Sequence, residues 1–87
     1  MQERISAIND ALKEMKPRLV AICTEHGEKA VLVVSEPELV KKAAEKLGAN
    51  EADIRRALNI MVTLHVRKRY ADKGGNVYID AGIGEQG

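Results

Sequence analysis

The sequence is poor in large aromatic side chains, since it has no Trp, no Phe and only two Tyr. Its single Cys excludes an internal disulfide and favours a reducing, intracellular compartment, so we expect a cytoplasmic protein. No apolar run approaches the ~18 residues that cross a bilayer, and the N-terminus does not open a signal peptide; we expect no membrane partner. The 87 residues form one small domain, of a size that often needs a partner or a second copy for stability.

Groups for catalysis or metal binding are also scarce. The two histidines, His26 and His65, lie far apart in the sequence, and no paired carboxylates or Gly-rich phosphate loop accompany them. Cys23 and His26 have a spacing that would suit two ligands on a helix, but a metal site needs three or four. The sequence therefore predicts no enzyme, no metal and no cofactor.

Charge is unevenly distributed along the chain. The net charge is +1, yet residues 1–53 carry a net −2 and residues 54–87 a net +3. Six of the cations fall within residues 55–73 against a single acidic residue, Asp72. Such a positive segment can attract a polyanion, although charges on a solvated edge strand would look the same.

Apolar residues near the N-terminus recur at alternating spacings of three and four, which is the pattern of a helical seam. They are Ile5, Ile8, Leu12, Met15, Leu19 and Ile22. We expect one long amphipathic helix in residues 1–27, bent at Pro17 and ended by Gly27; two helices with Pro17 in the first turn of the second are the alternative. Such a helix would overhang the remaining domain, so the seam is expected to form a homodimer interface. Packing within one chain is the alternative.

The middle of the chain carries signals for a strand and two helices. Residues 30–34 are apolar and β-branched, which predicts a buried strand. Ser35 and Glu38 have capping-box spacing ahead of a helix over residues 36–47, and Gly48 would end it. Asn50 is a suitable N-cap for a third helix, over about residues 50–61.

The period of the apolar residues changes from Val62 onward to the alternation of a strand, which we expect to continue to about Ala71. Asp72–Gly75 is a strong turn signal, and residues 76–80 alternate as a return strand. Residues 82–87 are expected to form a flexible C-terminal tail.

The segment Glu38–Leu58 resembles the helix-turn-helix of winged-helix DNA-binding domains. The matching residues are the pair Ala43–Ala44, Leu47–Gly48 at the turn, Ile54 and Leu58. The resemblance implies an α+β fold with three helices and a small three-stranded antiparallel sheet, with its core in residues 28–81. Members often carry a Gly between the last helix and the wing, and this chain has none in Met61–His65.

The resemblance also implies sequence-specific binding of double-stranded DNA by a small homodimeric transcriptional regulator. The third helix, over about residues 50–61, would be the recognition helix, which enters the major groove. It would read bases with Ala52, Arg55, Arg56 and Asn59. The wing, over residues 66–79, would contact the backbone or minor groove with Arg67, Lys68, Arg69, Lys73, Gly74 and Gly75. The alternative is a protein-interaction subunit without DNA contact, which would bind another protein through the N-terminal helix.

Overall fold

The computed structural model describes residues 1–81, in which three helices pack on one face of a four-stranded antiparallel sheet. The fold class is α+β, as expected, but the sheet has one strand more than the predicted three. The elements in chain order are α1 (Gln2–Glu14), β1 (Arg18–Thr24), β2 (Gly27–Ser35), α2 (Glu36–Leu47), α3 (Glu51–Thr63), β3 (Arg69–Ala71) and β4 (Val77–Asp80). None of the helices in residues 1–81 is long and apolar enough to cross a membrane.

The order of strands across the sheet is β1, β2, β4, β3. A two-residue turn joins β1 to β2, and their register runs without a bulge from Arg18–Val33 to Thr24–Gly27. The shorter β4 pairs with the end of β2, with Val34 opposite Ile79, and β3 pairs with β4 at the far edge. The β1–β2 hairpin therefore extends beyond the part of the sheet that the helices cover.

The main core lies between the sheet and the helices. Its fully buried side chains include Ile8 of α1, Leu39 of α2 and Ile54 and Leu58 of α3, and the sheet contributes Val34 and Ile79. A second, smaller cluster occupies the opposite face of the sheet, where Ile22, Val33 and Tyr78 are buried. The two clusters explain why residues 31–34 are apolar at consecutive positions, because Val33 and Val34 serve different faces.

The long N-terminal helix is a wrong prediction. The first helix ends at Glu14, and residues 18–24 form β1 rather than a further turn of helix. Pro17 has no N–H to donate and disfavours helical geometry in the residue before it, so it separates the two elements. Gly27, with φ +107°, begins β2 beside the hairpin turn and does not end a helix.

The predicted dimer seam does not exist as one surface. Ile8 and Leu12 are buried in the main core, and Ile5 and Met15 pack against it, all within one chain. The remaining two residues lie in β1, where Ile22 is buried in the second cluster and Leu19 is exposed. The periodicity of the α1 residues thus reflects packing on α2 and α3. Replacing Leu12 with Asp would disrupt folding rather than separate two chains.

The predictions for α2 and α3 are confirmed. The second helix covers residues 36–47 and ends at Gly48, which adopts the left-handed conformation at φ +71°. Asn50 caps α3, because its side-chain Oδ1 accepts a hydrogen bond of 2.9 Å from the backbone N–H of Asp53. The capping box at Ser35 is wrong in one detail, since Ser35 holds the N-cap position without a side-chain cap bond.

The strand predicted to begin at Val62 is also wrong at its start. The third helix continues to Thr63 and closes with the backbone N–H of His65 on the Val62 carbonyl and that of Val66 on the Met61 carbonyl. This is a Schellman closure, and His65 takes the left-handed position at φ +62° that glycine usually fills. The strand β3 is therefore short.

We expect His65→Gly to raise the stability of the protein. A non-glycine residue at positive φ costs about 1 kcal/mol, and glycine removes that cost while adding entropy to the unfolded chain. The net gain expected from urea denaturation is about 0.5 kcal/mol. His65→Ala serves as the matched control, because alanine also lacks the imidazole but keeps the Cβ; an equal gain from both would contradict a backbone cause.

Candidate nucleic-acid interface

One face of α3 is open to solvent and carries all four residues predicted to read bases. Ala52, Arg55, Arg56 and Asn59 are exposed, whereas Ile54, Ala57, Leu58 and Met61 turn into the core. This division follows from the 3.6-residue period, because the apolar positions fall on one stripe of the helix. The structure therefore brings the predicted base-reading residues together on one uncovered surface, which we call the α3 face.

The two arginines of the α3 face are balanced by acidic side chains of the same helix. Arg55 lies 3.2 Å from Glu51, one turn earlier, and Arg56 lies 3.7 Å from Asp53. Asp53 also lies 3.6 Å from Arg4 of α1. The side chain of Arg56 is nevertheless 73% exposed. Exposed pairs of this kind are weak, so a stronger anion such as phosphate can compete for either guanidinium.

Arg69 joins the β3–β4 hairpin to the helices. Its Nε donates a 2.6 Å hydrogen bond to the carboxylate of Glu36 at the start of α2, and its Nη2 donates a 2.5 Å bond to Oδ1 of Asn59. Two predicted contact residues are therefore bonded to each other. Because both bonds use the rigid guanidinium fork, they hold the hairpin in a defined position beside the α3 face.

Arg67 is not part of this surface, which corrects the prediction that it is a wing contact. Its side chain is only 19% exposed, with Nη1 3.6 Å from the carboxylate of Asp80 and Nη2 3.2 Å from Oδ1 of Asn9. The carboxylate of Asp80, itself buried, also accepts a 2.5 Å bond from the backbone N–H of Lys68. Arg67 thus ties the segment before β3 to the end of β4 through Asp80, and to α1 through Asn9.

The turn of the β3–β4 hairpin is organised around the Asp72 carboxylate. It accepts bonds from the backbone N–H of Gly74 (2.9 Å) and Asn76 (3.0 Å), from the Asn76 side-chain amide (3.0 Å) and from the Tyr78 hydroxyl (2.8 Å). Gly75, at φ +86°, supplies the left-handed residue that the turn needs. The turn thus presents the exposed Lys73 on a fixed backbone.

The bonds to Asp72 change two acidities. The hydrogen bond from the Asn76 side chain, and next in size that from the Tyr78 hydroxyl, lower the pKa of Asp72 from its ordinary 3.8 to about 2. The bond that Tyr78 donates to Asp72 also raises the pKa of Tyr78. A carboxyl group whose pKa is lower in the folded than in the unfolded protein stabilises the fold at pH values above its pKa in the unfolded chain. This contribution is lost as the pH falls through the pKa of the group in the folded protein.

We therefore expect Asp72→Asn to melt at a lower temperature than the wild type at neutral pH. The difference should shrink between pH ~4 and pH ~2, as the wild-type carboxylate becomes protonated and equals the neutral amide. Circular dichroism melts across this range measure it. Asp10→Asn on the exposed surface of α1 is the control, and a difference that stays constant with pH would contradict the assignment.

The two remaining lysines predicted for the wing differ from the lysines of α2. Lys68 and Lys73 are exposed on the hairpin side, with Gly74 and Gly75 exposed in its turn. On α2, Lys42 lies 3.5 Å from Glu14, and Lys46 also bonds to Glu14. The bond from Lys46 is the main cause that lowers the pKa of Glu14. These two lysines therefore have a structural role in joining α2 to α1.

Sequence reasoning missed Glu36, which holds Arg69 beside the α3 face, and it missed Asn9 and Asp80, which keep Arg67 away from that face. Glu36 is 33 positions from Arg69, and Asn9 is 58 positions from Arg67. No local signal could have found pairs of such separation. Cys23 and His26 do not lie on one face of a helix, because Cys23 belongs to β1 and His26 to the turn that follows it. Residues 1–81 hold no cluster of three metal-ligating side chains. Comparison of the chain with protein families, characterised proteins and solved structures gave no match.

Proposed function

We propose that this protein is a winged-helix domain that binds double-stranded DNA in a sequence-specific manner, as a small transcriptional regulator. The observation that carries the proposal is the α3 face, on which Arg55, Arg56 and Asn59 are exposed. Arg69 bonds the β3–β4 hairpin to Asn59, and the exposed Lys68 and Lys73 lie on the hairpin side of this face. Arginine recognises guanine and asparagine recognises adenine in the major groove, which admits one α-helix.

The order of elements supports the winged-helix part of the proposal. With β1 set aside, the chain reads helix, strand, helix, short turn, helix, strand, turn, strand, which is the order predicted from the sequence. The strands β2, β4 and β3 are neighbours in the antiparallel sheet, and in a winged helix the β3–β4 hairpin would be the wing. The additional strand β1 extends this sheet at the edge opposite the wing.

The charge around the α3 face favours a modest affinity per domain. Glu51 and Asp53 lie at the N-terminal turn of α3, where they stabilise the helix dipole but repel phosphate. A homodimer would double the contacts and read two half-sites about one helical turn apart.

Selection of binding sites from a random duplex library is the direct test of the proposed DNA binding. An enriched motif supports the proposal, and recovery of unselected sequence from repeated rounds would contradict it.

We expect the double variant Lys68→Ala/Lys73→Ala to bind all duplexes more weakly without changing the preferred sequence. Both lysines are exposed on the wing side and would contact phosphates, which carry no sequence information. Fluorescence anisotropy at several salt concentrations should show the salt slope reduced by about 1 for each lysine. Lys13→Ala on α1 is the matched control; an unchanged slope in the double variant would exclude the wing from the interface.

A second function is favoured by an apolar patch at the end of α3. Ile60, Leu64 and Val66 are all exposed, with Leu64 exposed to 67%. Such a patch suits a protein partner, so the domain would serve as an interaction subunit without DNA contact. Salt distinguishes the two functions, because DNA binding weakens steeply with added salt and an apolar protein interface does not.

A further inference from the structure

The outer edge of β1 is a strand edge without a partner among residues 1–81. The direction of its peptide groups follows from the neighbouring strand. The backbone N–H of Ala81 donates a 3.0 Å bond to the carbonyl of Leu32, so Leu32 points its peptide groups away from β1. Leu19, which pairs with Leu32, must therefore point its own peptide groups outward. By the alternation of the ladder, Ala21 and Cys23 do the same.

This edge lacks the features with which proteins protect exposed strands. Residues 19–24 contain no charge and no Pro, and the pairing with β2 has no bulge. Leu19 is 67% exposed, and its neighbour across the hairpin, Leu32, is 37% exposed on the same face of the sheet. A strand that carries no charge after Arg18 and has free peptide groups is a template for pairing with another strand.

We propose that β1 pairs antiparallel with β1 of a second copy of this chain, with the two-fold axis at Ala21. This register places Ala21 opposite the partner's Ala21, Leu19 opposite the partner's Cys23, and Val20 opposite the partner's Ile22. No charged residue of β1 faces a like charge, since Arg18 lies opposite the partner's Thr24. The two four-stranded sheets become one continuous sheet of eight strands.

The surface beside the edge fits the second copy. A groove of about 400 Å³ lies between the Ala21–Cys23 part of β1 and the turn of the β3–β4 hairpin, and Ala71 forms part of its wall. The partner's Leu19, opposite Cys23, lies at the β1 wall of this groove, where it meets the small side chains of Ala21 and Cys23. Glu28, Asp72 and Lys73 also line the groove. By symmetry the same contact forms twice.

Charge supports the same orientation. The start of the edge is basic, with Lys16 and Arg18, and the turn at its other end carries Glu25, followed in β2 by the opposite charges of Glu28 and Lys29. Antiparallel pairing brings the basic start of each strand toward the acidic end of the other, whereas parallel pairing would bring like charges together. A second copy is therefore the occupant that this edge suits.

Sedimentation velocity of the full chain without DNA tests the proposal from low to high micromolar concentration. The wild type should be dimeric, and a wild type that stays monomeric throughout would overturn the proposal. Ala21→Lys places two ammonium groups at the axis and should raise the dimer dissociation constant at least about tenfold. Ala30→Lys is the matched control, because Ala30 lies on the same face but one strand further from the axis. An unchanged dimer in Ala21→Lys would contradict the proposal.

Disulfide formation tests the register and does not depend on the lysine variant remaining folded. In Ala21→Cys/Cys23→Ser the only thiols of two copies face each other at the axis, so oxidation should give a covalent dimer. In the wild type the two Cys23 residues lie four positions apart along the strands, about 13 Å, and should not cross-link. The reverse pattern would overturn this register. Because no DNA is present, failure here leaves the DNA-binding proposal to its own experiment.

Discussion

The variant Arg55→Ala/Arg56→Ala is expected to lose its preference among DNA sequences. Each bidentate arginine–guanine contact supplies about 1–3 kcal/mol of discrimination, so the loss of both should flatten the preference by about 30-fold or more. Neither side chain is needed for the core, because both lie on the α3 face with partners on the same helix. The measurement is competition between the selected duplex and a scrambled one in fluorescence anisotropy.

Arg4→Ala is the control for this variant. Arg4 lies 3.6 Å from the same Asp53 that neighbours Arg56, but it belongs to α1. Its removal takes away an ion pair with Asp53 and leaves both arginines of α3 in place. The control should keep the sequence preference of the wild type. If the double variant also kept that preference, α3 would not be the element that reads the bases.

Asp80→Ala is expected to have the largest effect on stability. The change leaves Arg67 without its buried carboxylate and the Lys68 N–H without an acceptor. Breaking a buried pair by removing one partner costs about 3–5 kcal/mol, which approaches the whole stability of a small domain. Urea denaturation followed by circular dichroism measures the loss.

Two further variants separate the ion pair from a general effect. Asp10→Ala removes an exposed carboxylate from α1 and should change the free energy of unfolding by less than about 0.5 kcal/mol. Adding Arg67→Met to Asp80→Ala removes the stranded charge and should recover part of the lost stability. A cost below about 1 kcal/mol for Asp80→Ala would show that the Arg67–Asp80 pair is not a main source of the stability of the protein.

The sequence predicted α2 and α3 well because their signals are local. Gly48 and Asn50 act on the backbone within a few positions, and the apolar stripe of each helix is intact. The N-terminal region shows the limit of such reasoning. The spacing of three between Leu19 and Ile22 suits one face of a helix, whereas in β1 it places them on opposite faces of the sheet. The choice of a strand depends on pairing with residues 32 and 29 of the next strand. Pro17 is the local signal that separates the two elements, but a proline is also compatible with a bent helix.

The candidate surface was predicted in part for the same reason. Exposure of Arg55, Arg56 and Asn59 follows from helix periodicity once Ile54 and Leu58 are assigned to the core. Helix periodicity does not predict that Arg67 is partly buried while Lys68 is exposed. This difference depends on Asp80 and Asn9, which tertiary packing brings close to Arg67. In the sequence, neighbouring basic residues such as these look alike. Only the fold determines which of their side chains points into the protein and which points into solvent.

The bond between Arg69 and Glu36 has a consequence for how DNA would be held. A free lysine that meets a phosphate releases counterions condensed on the duplex, and this release makes binding sensitive to salt. Arg69 already carries a carboxylate at 2.6 Å. A phosphate that displaced Glu36 would exchange one anion for another, so Arg69 would add direction to the complex with little of the entropic gain that accompanies Lys73.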